Sequence, residues 1–145
     1  MSLGLARSTE VTMFEQLRFA KEVIQSEAKA LQRLASNLPD DFHEAAETMF
    51  RCEGAVIVTG MGKAGLIGQK LSATLASTGT PSYSLHPAEA IHGDLGRVTK
   101  QDLVIAISNS GETEELNKLL PVIKRIGTRL IALTGNSRSS LAKHC

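Results

Sequence analysis

Apolar positions recur along the chain with two different periods, and the change falls near Gly54. Between residues 13 and 38, Leu17, Ile24, Leu31 and Leu38 recur every seven residues, Ala20, Ala28 and Leu34 lie near the same face, and Glu and Lys fill the other. That spacing predicts one long amphipathic helix. Its apolar face suits packing on a core and equally suits pairing with helices of other copies, because so long a helix has more face than one small domain can cover. Pro39-Asp40-Asp41 interrupts the pattern. Asp40 or Asp41 is expected to cap a second helix, whose face carries Phe42, Ala45, Ala46, Met49 and Phe50 and which Gly54 ends. Residues 1–12 read as a flexible N-terminus or tag, so the folded domain is expected over 13–145.

Beyond Gly54 the chain alternates short β-branched runs with helical segments. Strands are predicted at residues 55–58, 81–85, 102–107 and 129–133. Helices are predicted at 63–77, ended by Gly79, and at 114–126. A helix between successive strands means parallel pairing with right-handed crossovers, hence a layered α/β fold. Ligands of such sheets sit outside the carboxyl ends of the strands. Those ends are Thr59-Gly60, His86, Ser108 and Thr134-Gly135, where most of the Gly, His and hydroxyl residues gather.

Composition narrows the choice of ligand. The 145 residues suit one domain with a real core, and the formal net charge of +1 supplies no general field for nucleic acid or membrane. Aromatic residues are 3% of the chain, too few for base-stacking platforms. Cys52 and Cys145 lack CxxC spacing and read as free thiols of a reducing compartment, with Cys52 a small core residue. No apolar run is long enough to span a bilayer, and no secretory leader pattern opens the chain, so a cytoplasmic location is expected. Anion binding must therefore come from local geometry.

Three loops carry the chemistry. The run Leu103-Val104-Ile105-Ala106-Ile107 feeds directly into Ser108-Asn109-Ser110-Gly111-Glu112-Thr113 and then a helix. Free backbone N–H groups, the positive helix end and the hydroxyls of Ser108, Ser110 and Thr113 converge there, which suits a phosphorylated small molecule. Glu112, Glu114 and Glu115 are expected on the first helical turn, where the helix dipole favours acids, and Glu115 can face the same pocket. The loop Gly60-Met61-Gly62-Lys63-Ala64-Gly65 fits the GxGxxG pattern, but residues 83–86 offer no acid to hold a ribose, and the Walker spacing is absent. What remains is a Gly-rich turn for close backbone approach, with one cation, Lys63. The loop over 86–96 holds His86, Glu89, His92 and Asp94. The two His match no common helical zinc spacing, so no metal is expected; His92 suits acid–base work, while His86 suits either ligand binding or a hydrogen bond within its own loop.

Taken together, Gly60-Met61-Gly62-Lys63-Ala64-Gly65, Ser77-Thr78-Gly79-Thr80-Pro81, His86-Pro87-Ala88-Glu89-Ala90, His92-Gly93-Asp94-Leu95-Gly96 and Ser108-Asn109-Ser110-Gly111-Glu112-Thr113 resemble the sugar isomerase (SIS) domain of D-arabinose-5-phosphate isomerases, in order and from about Phe14 to Cys145. The resemblance implies a three-layer, doubly wound parallel sheet of flavodoxin- or Rossmann-like type behind a long N-terminal helix. It implies reversible conversion of D-ribulose 5-phosphate to D-arabinose 5-phosphate for Kdo and lipopolysaccharide or capsule synthesis, a homotetramer, and no redox cofactor. By motif, Lys63, Glu115 and His92 fall on catalytic positions, and Gly62, Ser108, Asn109, Ser110, Gly111, Thr113 and His86 on substrate-binding ones. Ala64 departs from the family, which commonly carries Ser there. Related proteins also continue through a further strand, a catalytic Glu and His, a second phosphate loop and CBS domains, so the resemblance implies a SIS domain incomplete at its C-terminal end. Two alternatives stay open: a non-catalytic sugar-phosphate sensor on the same domain, and an isomerase of another phosphosugar.

Overall fold

In the computed structural model, which describes residues 12–145, the β-branched runs lie side by side as one parallel sheet. The expected flexible N-terminus lies, Thr12 apart, outside the described residues. The described residues up to Phe42 form one unit and His43–Cys145 a second.

The first unit is dominated by helix α1 (Met13–Ser36). Thr12 caps it: its hydroxyl accepts the Glu15 N–H at 3.3 Å, and the Glu15 carboxylate accepts the Thr12 N–H at 2.9 Å. Each side chain satisfies a donor that the helix start leaves free. The Thr12 N–H, and after it the Thr12 hydroxyl, holds the Glu15 carboxyl below its ordinary value. No residue of α1 is buried, so the apolar face that suited a core carries no buried side chain. Helix α2 (Asp41–Phe50) begins on Asp41 itself and stops before Gly54. Gly54 is therefore not its end signal. The Gly54 N–H donates to the Gln101 carbonyl at 3.0 Å, and a Cβ there would run into the Asp102 carboxylate and the Gln101 backbone.

In the second unit, β1 (Val56–Gly60) is followed by α3 (Gly62–Ser77), β2 (Ser82–Leu85), a short α4 (Pro87–Ile91), β3 (Leu103–Ile107), α5 (Glu114–Ile126) and β4 (Arg129–Leu133). The strands run parallel in the order β2-β1-β3-β4. Val56, Val58, Leu103 and Ile105 point to one face, under Leu71 and Leu75 of α3 and beside Met49 and Cys52. Ile57, Leu85 and Val104 point to the other, under Leu119 and Ile123 of α5 and Ala90 of α4. The path steps outward in opposite directions from β1 and from β3, and α3 and α5 cover opposite faces. Both crossovers thus share one hand, as parallel units require. The doubly wound, three-layer arrangement is the expected one.

The stretch read as a plain loop over 86–96 is partly helical. Pro87 occupies the first helical position, where its fixed φ and missing N–H cost nothing. His86 caps that turn, its Nδ1 accepting the Ala88 N–H at 3.3 Å. A 3-10 turn (Asp94–Arg97) follows.

The amino edge of the sheet is fastened by the buried Asp102. Its carboxylate accepts the Ala55 N–H at 2.7 Å, the Thr99 N–H at 2.7 Å and the Thr99 hydroxyl at 2.9 Å. The Thr128 hydroxyl donates to the Thr99 carbonyl at 2.9 Å, which extends the tie to the start of β4. Asp102→Ala is expected to destabilise the chain by on the order of 3 kcal/mol, because it strands buried donors. Urea unfolding checks this; a midpoint shifted no more than by an ordinary surface substitution would remove Asp102 from that role.

Candidate functional site

β1 and β3 are neighbours whose following helices leave in opposite directions, and the crevice between their carboxyl ends is where such sheets take ligands. Gly60 of β1 is level with Ile107 of β3, so the loop before α3 and the loop before α5 leave the sheet side by side. Two glycines seat the first of these. A Cβ at Gly65 would lie 2.6 Å from the Gly60 carbonyl oxygen, so the first turn of α3 rests on the strand end because neither residue has a side chain. Gly62 opens α3 with φ +54° and faces open space. Lys63 follows it, exposed, on the turn whose N–H groups have no intrahelical partner.

The second loop is shaped from within. The Ser108 and Thr113 hydroxyls share a 2.7 Å hydrogen bond, and the Gly111 N–H donates to the Ser108 Oγ at 3.0 Å. Ser108 is only 3% exposed. Its hydroxyl thus builds the loop, whose exposed residues are Asn109, Ser110 and Glu112. The Ser110 Oγ accepts the Glu112 N–H at 3.2 Å. Gly111 is buried at φ +67°, a conformation that favours glycine. Thr113 is extended and precedes α5, whose first acids are Glu114 and Glu115. Glu112, expected on the first helical turn, therefore lies outside the helix. Its Oε1 accepts the Ser140 N–H at 2.7 Å and its Oε2 accepts from the Asn117 Nδ2 at 3.5 Å. The hydrogen bonds from Ser140 are the main reason its carboxyl sits below its ordinary value, with Asn117 and the positive charge of Lys143 adding to them. A carboxyl lowered in this way stabilises the fold above its unfolded pKa, and that contribution is lost as the pH falls through the folded value.

Glu114 pairs with Lys118 at 2.6 Å on the exposed side of α5 and belongs to the helix surface. Glu115, half-buried, has no such partner among the described residues. His86 and His92 bracket α4, as its N-cap and C-cap, and both are exposed. With Nδ1 accepting from Ala88, a neutral His86 carries its proton on Nε2, the nitrogen left to meet a ligand. α4 packs on the α5 side of the sheet through Ala90, which brings the His92 segment to the same layer as Glu115. The Arg97 guanidinium stacks 4.6 Å from the Tyr83 ring centre and holds the end of that segment against β2. Burial, first, and the charge of Asp102 raise the Tyr83 hydroxyl above its ordinary value.

The sequence reading missed the segment after β4. It noted Thr134-Gly135 as a strand end and assigned nothing to residues 136–141. The structure wires this segment to the second loop: Gly135 N–H donates to the Asn109 carbonyl and Leu141 N–H to the Gly111 carbonyl, both at 3.0 Å. The only available signal was the turn chemistry of Thr134-Gly135-Asn136, which marks a loop without saying what it touches. Two polar atoms are buried without a partner among the described residues, the Thr59 Oγ1 at the end of β1 and the Asn117 Oδ1 on α5. Among the described residues no three His, Cys, Asp or Glu side chains converge to hold a metal ion, and no helix is long and apolar enough to cross a membrane.

Comparison with known proteins bears on this geometry. The SIS domain family model matches residues 49–145. Arabinose 5-phosphate isomerase KdsD of Pseudomonas aeruginosa is 53% identical over 124 residues, which cover 86% of this chain and 38% of that protein. The protein of the same name from Escherichia coli K12 is 52% identical over 130 residues, 90% of this chain and 40% of that one. The chain thus spans about two fifths of the length of the curated relatives it matches. An Escherichia coli CFT073 protein solved in complex with arabinose 5-phosphate superposes with a TM-score of 0.89 and 42% identity, over 92% of this chain and 71% of that chain.

The glycines of the two loops separate conformation from space. At Gly111 an added Cβ would collide with the Ser139 side chain in a left-handed backbone, whereas at Gly62 the backbone is also left-handed but the space is open. Gly111→Ala is expected to cost about 3 kcal/mol or more and Gly62→Ala only about 1 kcal/mol. Thermal melts of the two variants check this, and equal losses would mean that Ser139 yields freely.

Proposed function

The chain belongs to the SIS domain family, and we propose that it forms the sugar-phosphate site of an aldose–ketose isomerase interconverting D-ribulose 5-phosphate and D-arabinose 5-phosphate. The observation that carries this reading is the level pairing of Gly60 with Ile107, which sets a Lys-bearing glycine loop beside a hydroxyl-and-amide loop at one crevice. The names of relatives about half identical to this chain, and the arabinose 5-phosphate bound to one similar structure, support the same substrate.

In this reading the phosphate sits at the start of α5. Asn109, Ser110 and the unpaired amides of the first turn of α5 donate to it, Gly111 shapes the backbone beside it, and Ser108 and Thr113 hold the loop's shape and offer their hydroxyls. Gly62 gives the backbone room for close approach, and His86 meets the sugar through Nε2. Anchoring the phosphate away from the reacting end keeps the carbons in register. A base then takes the proton from C2 of the aldose, or from C1 of the ketose. The enediolate forms, and the proton returns to the neighbouring carbon while another moves between O1 and O2. Glu115 supplies a carboxylate for proton transfer, and Lys63 or His92 stabilises the developing oxyanion. The associated assignments are a role in Kdo and lipopolysaccharide or capsule synthesis, a cytoplasmic location and no redox cofactor. They include a homotetramer, in which the exposed apolar residues Leu17, Ile24 and Leu31 of α1 would be covered by other copies.

Calorimetric titration with D-arabinose 5-phosphate, beside a turnover assay in the full natural polypeptide, tests the assignment. Ser110→Ala is expected to weaken sugar-phosphate binding by about ten- to a hundredfold, the worth of one hydrogen bond to a charged group. Lys63→Ala is expected to lower turnover by about a hundredfold or more with little change in affinity. Binding without turnover in the full natural polypeptide would favour a sensor, and a clear preference for another phosphosugar would move the substrate.

A further inference from the structure

Residues 134–141 have no part in the chemistry above, yet three positions of the 108–113 loop are tied to them. The Asn109 carbonyl accepts the Gly135 N–H at 3.0 Å and the Thr134 hydroxyl at 3.4 Å. The Gly111 carbonyl accepts the Leu141 N–H, and Ser139 fills the space that a Cβ on Gly111 would need. The Glu112 carboxylate accepts the Ser140 N–H at 2.7 Å, the shortest of these bonds and the one made by a charged group. Ser139 and Leu141 are both fully buried, and Leu141 packs with Leu116 and Leu120 of α5. The segment is thus clamped to α5 at one end and to the loop along its length.

An acid in this loop is chemically out of place if the loop holds a dianion. A carboxylate next to Ser110 and Gly111 repels phosphate and competes with it for the positive end of α5. Its hydrogen bonds give the reason: both oxygens are occupied, by Ser140 and by Asn117. We propose that Glu112 is a positioning residue, a latch that holds residues 139–141 against the 108–113 loop and so keeps the loop's donors preset for a phosphate. The role rests on the sugar-phosphate reading of the crevice. Fixing the backbone before binding removes an ordering cost that the ligand would otherwise meet at each loop residue. Glu112 is also the contact that can be deleted from the loop side without changing the backbone, since the other loop partners are the carbonyls of Asn109 and Gly111.

The experiment combines amide hydrogen exchange with calorimetric titration by D-arabinose 5-phosphate and by inorganic phosphate, on the chain with Glu112→Ala and Glu112→Gln. Gln keeps an oxygen for the Ser140 N–H, and its amide nitrogen can donate to the Asn117 Oδ1, which has no partner among the described residues. Glu112→Ala is expected to speed exchange at the Ser140 and Leu141 amides and to weaken both ligands by about tenfold. Glu112→Gln is expected to keep the protection and stay within about threefold of the parent affinity. Unchanged exchange in Glu112→Ala overturns the latch. Faster exchange with unchanged affinity overturns its positioning role, and so does an equal affinity loss in both variants, because Gln keeps the Ser140 contact; an equal gain in both also overturns it and would mean that the charge repels the ligand directly. A parent chain that binds neither ligand instead removes the sugar-phosphate reading and the positioning role with it, while the exchange data still report on the contact.

Discussion

The side-by-side pairing of β1 with β3 is the constraint on which the rest depends. These are the two strands whose crossovers depart in opposite directions, so their shared boundary is the place where two helix starts open onto one crevice. Nothing in either loop alone makes a site. The glycine loop has a cation and room for a backbone approach, and the hydroxyl loop has donors. Pairing Gly60 with Ile107 is what sets the two side by side. A slip of one residue in a parallel pair would send every side chain of a strand to the opposite face. The register is protected because Ile57 and Val104 are buried on one face, and Val56, Val58 and Leu103 on the other.

The magnitudes divide this unit into two regimes. Each fully buried Ile, Val or Leu of the sheet contributes about 1.5–3 kcal/mol by leaving water. The loops at the carboxyl edge are held chiefly by single hydrogen bonds, each worth about 0.5–1.5 kcal/mol net. Local opening therefore belongs to the crevice, and the sheet beneath it stays closed. Asp102 guards the opposite edge in a different way: a buried carboxylate gathers donors from Ala55 and Thr99, so the end of the sheet remote from the ligand is the tightly fastened one.

Much of this was legible in the sequence because it depends on near neighbours. β4 and α5 begin and end where the apolar pattern and the capping residues put them, at Arg129–Leu133 and Glu114–Ile126. The crevice loops were legible for the same reason, since a strand end, a glycine and a helix start are consecutive. The errors share a cause as well. Gly54 looked like a helix stop, but contacts with Gln101 and Asp102, nearly fifty residues away, decide its place. The hydroxyl of Ser108 was legible, but its hydrogen bond to Thr113 was not. Glu112 looked like a helix-dipole acid, and its partner Ser140 is twenty-eight positions on. Gly54 and Glu112 owe their places to partners far along the chain, for which local periodicity holds no signal.

That pattern bears on how an anion site of this kind is assembled. Strand–loop–helix geometry supplies free amides cheaply, because every helix start has them. It does not keep the preceding loop in one shape, and a glycine at φ +67° makes that loop easier to unfold as well as easier to form. Some further element must hold it, and here the chain after β4 does so, with backbone donors on the Asn109 and Gly111 carbonyls and a carboxylate on the Ser140 amide. A basic side chain at position 112 would attract phosphate more strongly but could not accept that amide proton. An acid accepts it, the Ser140 hydrogen bonds and the nearby Lys143 hold its carboxyl below the ordinary value, and in the proposed site phosphate attraction is left to the helix start. Holding the loop and holding an anion are opposite electrostatic tasks, and the proposed site divides them between different residues of the same crevice.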